Sequence, residues 1–367
     1  MCNAKKDEKK GSVRPWRPLF ISLIPAFAAL LMHVGSVLSA PFALFCNTYI
    51  TSPVRSLLAH LSALFPISIA ETVILLSPAL LFLLIFAARR LAKDPARAAR
   101  MLALLLCVPL LLYTLFIFTF ATGYFTPPLA ERLSLEEEEP NAQNLYALAL
   151  HLSVCADASA KEAGVAVLEE GSRMPFDYRE MNVRLISAYE RVEEKHGFLK
   201  SYPIGTKPVA LSVPMAYTHI TGVYTFMTGE MNVCTAFPDF STVFTAAHEM
   251  AHARGIARED EANFTAFLVC EASSDPYVRY AGYVNLLQYV MVALYDTDTA
   301  LYADLWNALS PTVKEEIRAY NRAIKSYSGS VVSDIAGSIN DAYLGSMGTE
   351  GSVSYGLVVR LAVRYFD

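Results

Sequence analysis

Two histidines one helical turn apart, with a glutamate directly after the first, are the residues of this chain best suited to chemistry: His248-Glu249-Met250-Ala251-His252. On a helix, positions i and i+4 share a face, so both imidazoles can address one cation. Neutral imidazole nitrogens bind zinc at about 2.0–2.1 Å, and a catalytic zinc keeps one position open for water. Glu249 would sit beside that water, placed to take its proton as a general base. Val243, Phe244, Thr245, Ala246 and Ala247 before the motif are apolar or small. Three ionisable side chains on such a helix cost too much to be idle packing. The expected activity is zinc-dependent hydrolysis of a peptide or similar amide.

A tetrahedral catalytic site needs a third protein ligand. No third histidine follows at metzincin spacing; Arg258 stands in that place, and the nearest carboxylates are Glu259, Asp260 and Glu261. Gly255 permits a sharp turn that would return a second helix to the ion. Periodicity favours Glu261, which shares a face with Phe264 and Leu268. Glu259 instead pairs with Asn263 at i+4, and that amide could orient a histidine ring. Upstream, residues 224–233 read as an edge strand able to bind a substrate backbone by strand addition, with Glu230 and Asn232 alternating onto one face. A donor for the tetrahedral intermediate is sought among Arg279, Tyr280 and Tyr283, although tyrosines at this spacing commonly pack. His219 and His33 read as structural.

The elements that must position these groups fall into two halves. Hydrophobic residues make up 54% and charged residues 18%, an apolar excess over soluble averages that is concentrated before residue 125. Three apolar runs, about 19–40, 72–88 and 101–124, are long enough to span a bilayer. Lysines and arginines cluster before the first run and between the second and third, while the intervening loop carries only Arg55. The rule for basic loops then places residues 1–18 in the cytoplasm and everything after the third run outside the cell membrane. Residues 41–68 read as an interfacial helix on the outer surface, in contact with membrane lipid. An acidic linker, 126–140, leads into a domain over 141–367. There, helices are expected over 142–164, 176–196, 242–254, 258–271, from 276, and through most of 299–363. Strands are expected over 207–218 and 221–233. The fold class is mainly α with a small β-sheet. Net charge of −5 gives no basic face for nucleic acid. Six scattered cysteines without a CxxC pair support neither a disulfide framework nor a thiolate zinc site.

The motif and its acidic follower resemble the gluzincin group of zinc peptidases. In that group a glutamate ligand on a second helix precedes an acidic or amide residue by four positions. Glu259 and Asn263 match this pattern, so the resemblance implies Glu259 as third ligand with Glu261 the alternate, and a zincin-like α+β domain. The stretch between His252 and Glu259 is short for that group. More closely, the chain resembles the bacterial membrane family DUF3810. The likeness lies in Thr221-Gly222-Val223-Tyr224, residues 228–233, residues 245–252, residues 258–264, residues 274–280 and Ser354-Tyr355-Gly356, together with the three apolar runs. That family name implies a domain rather than a substrate. The competing expectation is a non-catalytic membrane module with a structural or degenerate metal site, which four protein ligands would mark.

Overall fold

A computed structural model describes residues 15–91, 93–200, 202–329, 337–338, 342 and 355–366. Its first half is built on α1 (Arg17–Leu38), α2 (Ala40–Phe45), a π-helical turn (Cys46–Thr51), α3 (Ser52–Ala63), α4 (Ile69–Leu91) and α5 (Pro95–Thr119). With 22, 23 and 25 residues and mean hydropathies of 2.0, 2.4 and 2.6, α1, α4 and α5 are long and apolar enough to cross a membrane. At 1.5 Å per residue each exceeds the roughly 30 Å of a hydrocarbon core. Their outward faces carry large apolar side chains such as Phe27, Leu31, Ile74 and Phe82.

The boundaries differ from those expected for reasons visible in the caps. Asp94 accepts hydrogen bonds from the Ala96 and Arg97 amides, and Pro95 occupies the first turn. Helix α5 therefore starts well before the apolar run does. Its far end stops at Thr119, and residues Ala121–Phe125 tighten into a 3-10 turn.

The second half comprises α6 (Leu129–Arg132), α7 (Ala142–Ala163), β1 (Val167–Leu168), β2 (Gly171–Ser172), α8 (Tyr178–His196), β3 (Lys207–Pro208), α9 (Ser212–Ala216), β4 (Gly222–Thr225), β5 (Glu230–Val233), α10 (Asp239–Ala253), α11 (Glu259–Glu271), α12 (Pro276–Thr297), α13 (Thr299–Ala308), α14 (Pro311–Tyr327) and α15 (Tyr355–Phe366). The class is mainly helical with a small sheet. Strands β1 and β2 form a two-residue antiparallel pair. The larger sheet has the order β3-β5-β4, with β5 central, parallel to β3 and antiparallel to β4.

Two strand expectations are corrected. Residues 207–218 give only two strand residues before turning into α9, because prolines 208 and 214 cannot donate to a ladder. Residues 221–233 are a hairpin rather than one strand. Gly229, at φ +68°, supplies the left-handed residue its turn requires.

Helix α10 is buried on nearly every face, as expected of a helix without a polar stripe. It packs in one core with α7, α8, α11 and α12 through residues such as Leu152, Leu185, Phe240, Phe264 and Val284. The acidic stretch 126–140 is not wholly a free spacer: Leu129 is fully buried and its amide donates to Glu261.

Nor is the segment before α4 merely interfacial, since it is tied directly to the globular part. Glu230 accepts the Ile69 and Ala70 amides at the start of α4, each at 2.9 Å. Lys207 Nζ donates to Glu230 at 2.7 Å and to the carbonyls of Ser62 and Ile67. In return Glu71, on α4, accepts the Ala210 and Leu211 amides. Arg55, 1% exposed, donates to Asn47 Oδ1, Thr51 Oγ1 and the carbonyls of Asn47 and Thr119. Asn47 in turn donates to the Gly255 carbonyl at 3.0 Å.

Candidate metal centre

The chain after His252 ends its helix with a glycine and comes back on itself. Gly255, at φ +93°, donates to the His252 carbonyl, and the Ile256 amide donates to the Ala251 carbonyl. This is the paired closure of a left-handed helix cap. It has a chemical consequence. The Ile256 carbonyl lies 2.8 Å from His252 Nδ1, so in the neutral ring that nitrogen carries the proton and Nε2 offers its lone pair to a ligand. A side chain at 255 would collide with the Arg55 guanidinium, so close approach as well as φ demands glycine there.

The returning chain starts α11, and its first residue meets the histidines. His248 Nε2 is 3.2 Å and His252 Nε2 3.6 Å from opposite oxygens of Glu259. One ligand atom from each of the three lies within 4.8 Å of the others, a spacing that a single ion with ligand bonds near 2 Å can bridge. The two rings stand perpendicular, with centroids 4.5 Å apart. Phe120, just past α5, places its ring edge-on to His252 at 5.6 Å. The cluster therefore lies where the third apolar helix gives way to the globular part.

Glu249 is buried between the motif helix and β4. Its carboxylate accepts the Tyr224 amide, while Oε2 has no protein partner. A Cβ at Gly222 would come within 2.5 Å of Oε1, so the strand is glycine where it passes the acid. His248 Nδ1 is likewise buried without a partner. Two orphaned polar atoms beside a convergent His-His-Glu set are costly in a folded core. They suit a place where a cation and the groups it orders complete the network, so the residues present fit zinc.

Of the two carboxylates weighed for third ligand, Glu259 reaches the histidines. Glu261 is buried and engaged with the Leu129 amide at 2.8 Å and Arg258 Nη1 at 2.6 Å. Asn263 accepts from Tyr289 Oη at 3.3 Å rather than holding a histidine nitrogen.

The expected substrate groups have other partners. Glu230 carries the α4 amides and Lys207, its side chain wholly covered. Asn232 is buried on the central strand β5 and donates to Thr225. The edges of the sheet belong to β3 and β4. Tyr280 Oη donates to Glu316 within the core. Arg279 is spent on Glu162 and the carbonyls of Ser273 and Ser274. Helix α12 packs along α7 and touches α14, so Arg279 finds Glu162 on the first and Tyr280 finds Glu316 on the second. Sequence reasoning missed the Ile256 carbonyl, the Tyr224 amide and the Phe120 ring. Only Gly222 left a local signal.

Charge in the bare cluster is coupled. Burial disfavours a charged imidazole at His252, but Glu259 outweighs it and the pKa is pushed up to about 9 from an ordinary 6.5. Burial would raise Glu259, yet the two histidines hold it well below the usual carboxylate range. Burial pushes Glu249 upward. A raised imidazole pKa stabilises the metal-free fold fully below about 6.5, and that contribution is lost as pH rises through about 9. A cation needs the neutral ring, so it must displace this proton. Zinc affinity, measured by chelator competition, is expected to strengthen as pH is raised from 6.5 toward 9. A flat dependence would show that His252 takes no part.

The architecture so far defines a mainly helical protein with three apolar helices and a His-His-Glu cluster at their junction with a helical domain. The chain belongs to DUF3810, a family described as a protein of unknown function, which it matches over residues 47–363. No curated protein and no solved structure matches it.

Proposed function

We propose that the chain is a membrane-anchored, zinc-dependent metallohydrolase acting on peptide or similar amide bonds, of the gluzincin type, with its globular part outside the cell membrane. The observation that carries this reading is the convergence of His248, His252 and Glu259 beside a buried Glu249 that keeps one oxygen unpartnered. Among the described residues the group has three donors, not four, which favours an open site over a closed structural one.

In this reading His248, His252 and Glu259 hold the ion, and the Ile256 carbonyl fixes the His252 tautomer. A bound zinc would polarise the scissile carbonyl and acidify water. Glu249 would take the proton of that water and later deliver it to the leaving amine. Its elevated pKa suits both roles. The backbone of β4, whose Tyr224 amide already faces Glu249, would lay out an extended substrate.

The outside placement draws on two features. Basic residues flank the short connection between α4 and α5. The segment 39–68 touches the part after 119 through Asn47 on Gly255 and Lys207 on Ser62, as expected if both lie on one side of the membrane.

The test is metal removal. The purified full chain, loaded with zinc, is expected to cleave members of a peptide library read by mass spectrometry. It should lose cleavage on chelation and regain it on adding zinc back. One tightly held zinc per chain without any cleavage would favour the structural-site reading instead.

A further inference from the structure

A second built site lies close to the metal helix and uses none of its ligands. A cavity of about 410 Å³ opens between α2 with its π-helical turn and the loop following α8. Its cationic lining is Arg55, Arg132, Lys200 and Arg254, and no carboxylate lines it. Arg55 and Arg254 are 1% and 6% exposed. Among the described residues none of these four cations makes an ion pair.

Burying guanidinium groups without counter-charge is expensive, and neutral partners offset it only in part. Arg254 donates to the carbonyls of Met250 and Tyr202 and lies over the rings of Tyr189 and Tyr202, at 4.0 and 4.7 Å. Arg132 donates to the Phe198 carbonyl and faces that ring. Arg55 is held by the carbonyls and hydroxyl described above. These partners fix the side chains without forming an ion pair; Glu261 acts on Arg132 from a distance, its carboxylate held by Arg258. They also leave donors over: Nε of Arg55, Nε of Arg254 and Nη1 of Arg132 are buried without any partner. A rigid set of four cations lining a cavity that no carboxylate lines is complementary to a group with several anionic acceptor oxygens, above all a phosphate.

The location selects the source of that phosphate. The cavity wall formed by Pro41, Leu44 and Phe45 follows directly on Leu38, the end of the first apolar helix. Phe42, Phe45 and Tyr49 beside it are 40%, 52% and 64% exposed. An aromatic rim of this kind belongs at the headgroup level of a bilayer. We propose that this cavity binds the phosphate headgroup of an anionic membrane lipid, with the exposed aromatic rim against its glycerol and upper acyl region. The site would join the segment after α1 to the cap of the metal helix, through a molecule drawn from the membrane. It stands whether or not the histidine cluster hydrolyses anything.

The test uses the full chain in a neutral detergent, titrated with phosphatidylglycerol or phosphatidylcholine and read by native mass spectrometry. Phosphatidylglycerol is expected to bind in preference. In the double variant Arg132→Gln/Lys200→Gln its affinity should fall at least about tenfold, with phosphatidylcholine unaffected. The unliganded melting temperature checks that the double variant folds. Lys200→Gln alone, at an exposed position, should fold regardless and give a smaller loss in the same direction. The proposal is overturned if these variants retain phosphatidylglycerol undiminished, or if both lipids bind alike. It is overturned too if inorganic phosphate stabilises the protein while the lipid does not.

Discussion

Glu249→Gln is expected to leave zinc bound and to lower turnover about a thousandfold, within the range for loss of a positioned general base. The substitution keeps the side chain's shape between α10 and β4, where Gly222 leaves little spare room. It touches none of the three convergent donors. What it removes is the ability to accept a proton, which an amide oxygen lacks at neutral pH. Zinc content and library cleavage are therefore read on the same preparation. Full cleavage by the variant would end the hydrolase reading, whereas loss of zinc along with cleavage would show that Glu249 supports the ion itself.

Arg55→Ala should destabilise the protein by about 1–3 kcal/mol, the usual cost of leaving buried acceptors without their donor. Its guanidinium is the common partner of Asn47, Thr51 and the end of α5, with bonds of 2.7–3.2 Å. Truncation leaves the Asn47 and Thr119 carbonyls facing a void that no side chain refills. It also frees Asn47, whose amide holds the Gly255 carbonyl beneath the metal loop. Thermal unfolding in detergent should report the loss, together with weaker zinc binding. Lysine at this position would restore the charge but not the forked geometry, so Arg55→Lys should recover only a fraction. Unchanged unfolding in Arg55→Ala would mean that the segment before α4 is held by its apolar contacts alone.

The helix-borne part of the site was legible because its rule is local. An i, i+4 pair on one face follows from helical geometry, and the glycine cap announces where the helix stops. The third donor was harder to read from periodicity, for an instructive reason. The apolar face of α11 points to Glu261, and that carboxylate is indeed the buried one. It is buried because Arg258 and the Leu129 amide neutralise it. Glu259, on the opposite flank, keeps a third of its side chain exposed, as a residue facing a cleft should.

Alternation likewise found the hairpin region but could not say which strand lies central. Glu230 and Asn232 therefore read as cleft residues when β5 is in fact enclosed. Tyr280 and Arg279 lie on a correctly expected helix whose rotation is set by α7, and Glu316, which claims Tyr280, stands far along the chain. Nothing local foretold the contacts of the segment before α4. Asn47 and Gly255 are 208 positions apart, and no periodicity connects them.

The reciprocal clamp in which Glu230 holds the first amides of α4 while Glu71 holds those of the Ala210 turn bears on how this molecule can be dissected. Severed at residue 126, the globular portion would carry away a Glu230–Lys207 pair stripped of the Ile69 and Ala70 amides and of the Ser62 and Ile67 carbonyls, and a Gly255 turn without Asn47 beneath it. The segments that join the hydrophobic helices are thus part of the scaffold beneath the His-His-Glu cluster, and the two halves of this chain are one architecture.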